Sequence, residues 1–189
     1  MGILTVEQIV SVDGYAAEAD GGIGFMDAAD VGNANDDDQL EFLRDVDAIL
    51  LGANTYRMFA GYWPTADPAV EVVAEPIDRL PKFVISNSLA EAPWGEGSID
   101  ILQGDAAETV AALKERYDRI IVWGSLTLAD ALFEAGLVDE LRLRVVPALI
   151  GEGRSFTPAA LGQRRLELVR AVSHPSGHVG MTYRLAASA

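Results

Sequence analysis

The chain has no cysteine, which excludes disulfides and thiolate metal sites, and its two histidines, His174 and His178, have no close acidic partner in sequence to complete a metal site. Long apolar runs are missing as well. Half of the residues are hydrophobic, yet no stretch approaches the ~20 residues that span a bilayer. Basic residues are scarce: 14 Lys and Arg stand against 29 Asp and Glu, a formal charge of −15. A field of that sign repels polyphosphate chains and anionic lipid, so nucleic acid and membrane surfaces are poor partners. A small anion can still bind, but only through local donors. The start, MGILTVEQIV, lacks the basic stretch and small-residue cleavage site of a secretion signal, and with the missing cysteines it fits the cytoplasm. No GxGxxG, no GxxxxGK[ST] and no zinc-type H-x-E…C-x-x-C signature occurs.

What is there fits one domain over residues 1–189 with a substantial core. Strands are expected at Ile3–Val12, Ala48–Gly52, Lys82–Ser86, Ser98–Gln103, Arg119–Gly124, Glu140–Pro147, Arg165–Ser173 and Val179–Leu185. The middle ones are continuous apolar runs, the mark of strands covered on both faces. The late ones alternate, with Leu141, Leu143 and Val145 against Arg142 and Arg144, which reads as antiparallel and half-buried. Helices are expected after the Asn35–Asp38 cap, over Asp105–Tyr117, and from Ser125 to the glycine stop at Gly136. Strands alternating with helices and then antiparallel strands predict a three-layer α/β domain with a mixed, mostly parallel sheet.

Two junctions share one design. AILLGANTYRMF and IIVWGSLTLADAL each run from an apolar strand through a glycine and small polar residues into a helix. Glycine lets the backbone turn sharply, and the first helical turn offers unpaired N–H groups at the positive end of the dipole. Two such seats side by side suit a diphosphate, although each turn alone is also routine α/β architecture.

The segments SVDGY, DAILLGANTYRMF, PKFVISNSL and VWGSLTLADALFEAGLVDELRLRVVPALIGEGRSF, in this order and spacing, resemble the dihydrofolate reductase-like family. The closer resemblance is to the group that includes the reductase domain of riboflavin biosynthesis. It implies a central sheet of about eight strands with a dinucleotide, usually NADPH, across the carboxyl ends of its strands. By that resemblance Gly52, Ala53, Asn54 and Thr55 hold one phosphate, and Ser86 and Asn87 lie near the adenosine ribose. Gly124, Ser125, Leu126, Thr127 and Leu128 hold the diphosphate, with the peptide isomer at Gly124–Ser125 left open. Asp13 and Asp38 are the candidate catalytic carboxylates, and Phe25 and Tyr56 the aromatic candidates for substrate contact. A homodimer is implied too, with the apolar segment Arg144–Gly153 as its interface.

Each assignment has a plainer alternative. Asp13 can be an ordinary Asp-Gly turn, Asp36–Asp38 a solvated helix start, Phe25 a loop aromatic on the core, and HPSGH a simple hairpin turn. If either Asp13 or Asp38 faces the pocket, its replacement by Asn should lower activity more than stability. The segment Glu18–Asp38 contains no Lys or Arg, which argues against a phosphorylated substrate. Relatives that take NADPH commonly carry an arginine after the strand-end glycine and a basic or hydroxyl-rich group after the VIS strand. Here Ala53 and Asn87 stand there, with Arg57 one helical turn on and Lys82 at the strand's far end. The expected activity is hydride transfer from NADPH or NADH to a small substrate. A flavin or deazaflavin cofactor, or a non-catalytic binding protein of the same fold, are the alternatives.

Overall fold

The computed structural model describes residues 1–28 and 37–186. In chain order, β1 (Ile3–Ser11), β2 (Tyr15–Ala17), α1 (Phe25–Ala28) and α2 (Asp37–Leu43) come first. They are followed by β3 (Ala48–Gly52), α3 (Ala53–Ala60), α4 (Ala74–Arg79), β4 (Lys82–Ile85), β5 (Pro93–Trp94), β6 (Gly97–Ser98) and β7 (Asp100–Leu102). The rest is α5 (Ala106–Lys114), β8 (Arg119–Trp123), α6 (Leu126–Glu134), β9 (Glu140–Val146), β10 (Arg154–Ser155), β11 (Leu166–Ser173) and β12 (Val179–Leu185). The expected caps of α2 at Asn35 and Asp36 lie outside the described residues.

Eight strands form one sheet in the order β11-β12-β9-β1-β8-β3-β4-β7. Its parallel body runs from β9 through β1, β8, β3 and β4 to β7, and β12 lies antiparallel to both β9 and β11. The apolar runs of β3 and β8 are buried on both faces because side chains alternate across a strand. Ala48, Leu50, Ile120 and Val122 meet Val110, Leu113, Leu128 and Leu132 of α5 and α6. Ile49, Leu51, Ile121 and Trp123 meet Leu43, Tyr56 and Ile77 of α2, α3 and α4 on the opposite face. The start of α5 is as expected, with the Asp105 carboxylate accepting the Glu108 amide at 3.0 Å. The four-residue α1, the short α4 and the two-stranded pairs β2–β10 and β5–β6 are additions that no periodic pattern announces.

The alternation in β9 misleads. This strand is not a half-exposed antiparallel one: it lies inside the sheet, parallel to β1 and antiparallel to β12, and Arg142 is only 6% exposed. Its guanidinium is compensated by Glu7 and Asp38, each at 3.0 Å, and lies 3.8 Å from the centre of the Phe42 ring. An ion pair and an aromatic face make burial of the cation tolerable. The solvent-facing strand is β11, where Leu168 and Val169 are exposed.

Candidate functional site

β3 and β8 are parallel neighbours whose following helices leave to opposite faces of the sheet, α3 to one and α6 to the other. A crevice forms at the carboxyl ends of strands where successive helices diverge in this way. The two helix starts interlock there. The Gly52 amide donates to Ser125 Oγ at 2.7 Å, and Ser125 Oγ donates to the Trp123 carbonyl at 2.9 Å. The Ser125 amide in turn donates to Thr55 Oγ1 at 2.9 Å. Gly124 and Ser125 are both left-handed, with φ of 52°, and the peptide between them is trans. A Cβ on Gly124 would come within 3.2 Å of Thr55 Oγ1, so glycine serves both the turn and the close approach.

Neither α3 nor α6 has a side-chain cap at its amino end, whereas α5 is capped by Asp105. First-turn N–H groups without a side-chain acceptor, at the positive ends of two dipoles, are the donor set a diphosphate needs. Gly52, Ala53, Asn54 and Thr55 sit at one start, and Gly124, Ser125, Leu126, Thr127 and Leu128 at the other, so the structure brings these nine residues together. Their roles differ. Thr55 and Ser125 spend their hydroxyls in joining the two starts, and Leu128 packs into the core, which leaves the backbone as the binding surface.

Ser86 and Asn87 follow β4, the next strand along. The Ser86 hydroxyl accepts the amides of Ser88 and Leu89, each at 3.2 Å. Asn87 is clasped to Gly104: its Oδ1 accepts the Gly104 amide at 2.7 Å and its Nδ2 donates to the Gly104 carbonyl at 3.1 Å.

The four candidates on the substrate side have different surroundings. Asp13 is exposed beyond the end of β1 and accepts the amides of Gly151 at 2.7 Å and Ile150 at 3.2 Å. The Ser11 hydroxyl, followed by the Gly151 amide, holds its carboxyl below the usual carboxylate range. Phe25 is buried. Tyr56 is buried in the α3-side core, and its hydroxyl donates to the Pro93 carbonyl at 2.8 Å, so its polar tip already has a structural partner. Asp38, half-buried at the start of α2, pairs with Arg142 and with Arg170, each at 3.0 Å.

Asp38 belongs to a polar row that sequence reading missed. Arg170, Thr182, Arg142, Glu7 and Trp123 are successive cross-strand partners over five strands. Glu7 Oε1 accepts from Trp123 Nε1 at 2.6 Å and from Gln39 Nε2 at 3.0 Å. Beside the row, Asp38, Gln39, Arg144, His174, His178 and Gly180 line a narrow crevice. The two imidazoles stack with centroids 3.9 Å apart, and His178 is buried with Nδ1 2.6 Å from Ser176 Oγ. HPSGH is thus the turn between β11 and β12, as expected, but its second histidine is not a solvated one. The available signal was the pair of charges, Glu7 in β1 and Arg142 in β9, within strands that also carry apolar residues for the core.

A cavity of about 490 Å³ opens at the opposite ends of the strands, by Lys82, Trp94, Arg116 and Tyr117. There Lys82 Nζ donates to the carbonyls of Ile77, Asp78 and Leu80 at 2.7–2.8 Å. Burial pushes the Lys82 pKa down, while three acceptors around one nitrogen favour the ammonium form. Its three donors close off the end of α4, which is a structural task.

The sheet order, the antiparallel carboxyl-terminal hairpin and the opposed helix starts define a dihydrofolate reductase-like α/β fold. The chain belongs to the RibD C-terminal domain family, whose sequence model matches residues 3–179. It is 27% identical over 146 residues to YyaP of Bacillus subtilis (strain 168), covering 76% of each chain, and that name assigns no activity. A solved protein from Shewanella sp. PV-4, provisionally named for riboflavin biosynthesis, superposes with a TM-score of 0.78 at 20% identity, covering 97% of this chain and 99% of that one. A pyrimidine reductase-like protein from Corynebacterium diphtheriae superposes with a TM-score of 0.70 at 18% identity, covering 99% and 93%. Among the described residues no helix is long and apolar enough to cross a membrane, and no group of three or more His, Asp or Glu is placed to hold a metal ion.

Proposed function

We propose that this protein is a reductase that passes a hydride from a reduced nicotinamide dinucleotide to a small substrate. The observation that carries the reading is the interlocked pair of uncapped helix starts, α3 and α6, at the carboxyl ends of β3 and β8. Membership of the RibD C-terminal domain family supports the reaction class. The dinucleotide, NADPH or NADH, supplies the hydride when bound. The chain's part is to bind and orient. First-turn amides of Ala53, Asn54, Leu126 and Thr127 would hold the diphosphate, and Ser86 and Asn87 would border the adenosine ribose.

On the substrate side, Asp38 with its arginines and Phe25 would bound the pocket, and Asp13 would set the loop that closes it. The substrate in this reading is not phosphorylated. Glu18–Asp38 offers no cation, and Arg142 and Arg170 are engaged by Glu7, Asp38 and Glu41. The reading places the protein in the cytoplasm as a homodimer, with nucleic acid and membranes disfavoured as partners by its charge.

Calorimetric titration of the purified protein with NADH and with NADPH tests this. Saturable binding of at least one nucleotide at micromolar concentration is expected. A folded protein that takes up neither would end the dinucleotide reading and leave a binding protein of another kind.

A further inference from the structure

We infer that the adenosine end of this site is built for a dinucleotide without a 2′-phosphate, so that the protein takes NADH in preference to NADPH. The inference rests on the dinucleotide reading above and concerns which nucleotide that site selects. With the diphosphate on the α3 and α6 starts, the adenosine lies over the next strand ends, those of β4 and β7.

A third helix start stands at that edge, and it differs from the other two. α5 follows directly on β7 and Gly104, and its anion seat is filled by its own Asp105 carboxylate, with Glu108 in the first turn. A dianionic 2′-phosphate would find a capped helix start and two carboxylates there. A ribose hydroxyl would find acceptors.

The neighbouring side chains do not reverse this. Between Lys82 and Lys114 the chain carries no lysine or arginine. Both of those lysines are buried and committed elsewhere, Lys82 to the carbonyls at the end of α4 and Lys114 to Asp139 at 2.6 Å. Asn87 spends its amide on both polar groups of Gly104, and Ser86, whose oxygen accepts two amides, keeps a single uncharged O–H donor. At the α3 start, Ala53 offers a methyl group. Arg57 is the cation that reaches back toward this end, and its Nη1 donates to Asn54 Oδ1 at 2.9 Å on an exposed surface. A solvated arginine opposed by two carboxylates in a chain of −15 is a weak phosphate clamp.

Calorimetric titration of wild type, Ala53→Arg and Arg57→Gln with both nucleotides decides the matter, with thermal unfolding confirming that each variant is folded. NADH should bind wild type at least about tenfold more tightly than NADPH. Ala53→Arg should tighten NADPH by at least about fivefold more than it tightens NADH, since the 2′-phosphate is the one charge that only NADPH brings. Arg57→Gln should move the ratio by less than about threefold. Wild type binding NADPH as tightly as NADH, or more tightly, overturns the inference and leaves the dinucleotide site standing. A selective loss of NADPH in Arg57→Gln overturns it too, by showing Arg57 to be the clamp. Binding of neither nucleotide removes the site itself and the inference with it.

Discussion

The Asp13 carboxylate accepts the amide of Gly151 at 2.7 Å, tying the turn after β1 to the loop after β9 across 138 positions of sequence. Through this contact Asp13 positions a loop. The Ser11 hydroxyl, with the Gly151 amide second, holds its carboxyl below the usual range, so the sign of its pH effect is fixed. A depressed folded pKa contributes stability that is complete above the unfolded value and is lost as pH falls through the folded one. The difference in thermal midpoint between wild type and Asp13→Asn should therefore be constant near neutrality and shrink as pH drops below about 4. A difference that stays constant down to about pH 2 would show that the ionised carboxylate does not hold the loop. Turnover should fall more than stability at pH 7, because the site is exposed and substitutions at such sites change stability little.

Asp38 requires a different expectation from the one its sequence context gave. It is bound by two arginines, so Asp38→Asn should lower stability as well as activity. The sharper test is Arg142. Arg142→Met keeps the bulk on the Phe42 ring but leaves Glu7 without its cation and Asp38 with Arg170 alone, and breaking a buried pair from one side costs about 3–5 kcal/mol. Adding Glu7→Gln should recover part of that loss, as measured by urea unfolding. If Arg142→Met alone costs less than about 1 kcal/mol, the row is not the electrostatic unit described above.

The middle of the parallel body, β3, β4 and β8, was legible because these strands are largely continuous apolar runs, and Ala48–Gly52 appears with its expected bounds. The glycine junctions were legible through chain punctuation, as Gly52 and Gly124 both sit where a strand hands over to a helix. What stayed hidden was long-range pairing of charge. Nothing in ELRLRVV says that Arg142 faces Glu7 from a neighbouring strand, because that register exists only once the sheet is assembled. Tyr56 shows the same limit from the other side. A tyrosine in the first turns of a site-forming helix reads as a contact residue, yet its face of α3 is the one that packs on Ile49 and Leu51.

The dimer expected from the apolar segment Arg144–Gly153 gains a second surface. Leu149 is 75% exposed, and the edge strand β11 exposes Leu168 at 55% and Val169 at 48%. An edge strand with exposed apolar side chains invites pairing with another chain. Light scattering at micromolar concentration should return a dimer mass, and Leu168→Lys should shift it toward the monomer. A monomer mass for wild type would remove the reading.

The junction of α3 and α6 yields the most discriminating prediction, because one glycine and one threonine hold both anion seats in register. Gly124→Ala keeps the chain length but asks alanine to adopt a φ of 52°, which costs ~1–2 kcal/mol. It also places a methyl group 3.2 Å from Thr55 Oγ1, the atom that receives the Ser125 amide. Thr55→Val removes the same acceptor without strain and leaves that amide unpaired in a half-buried site, at about 1–3 kcal/mol. Either change lets the two helix starts drift apart, and a diphosphate gripped by both should then lose about tenfold in affinity. Since both variants break one contact, their combined effect on binding should fall well short of the sum of the single effects. Titration of the two single variants and the double variant with NADH measures this directly. Full additivity would mean that Gly124 and Thr55 act separately, and that the α3 and α6 starts do not form one site.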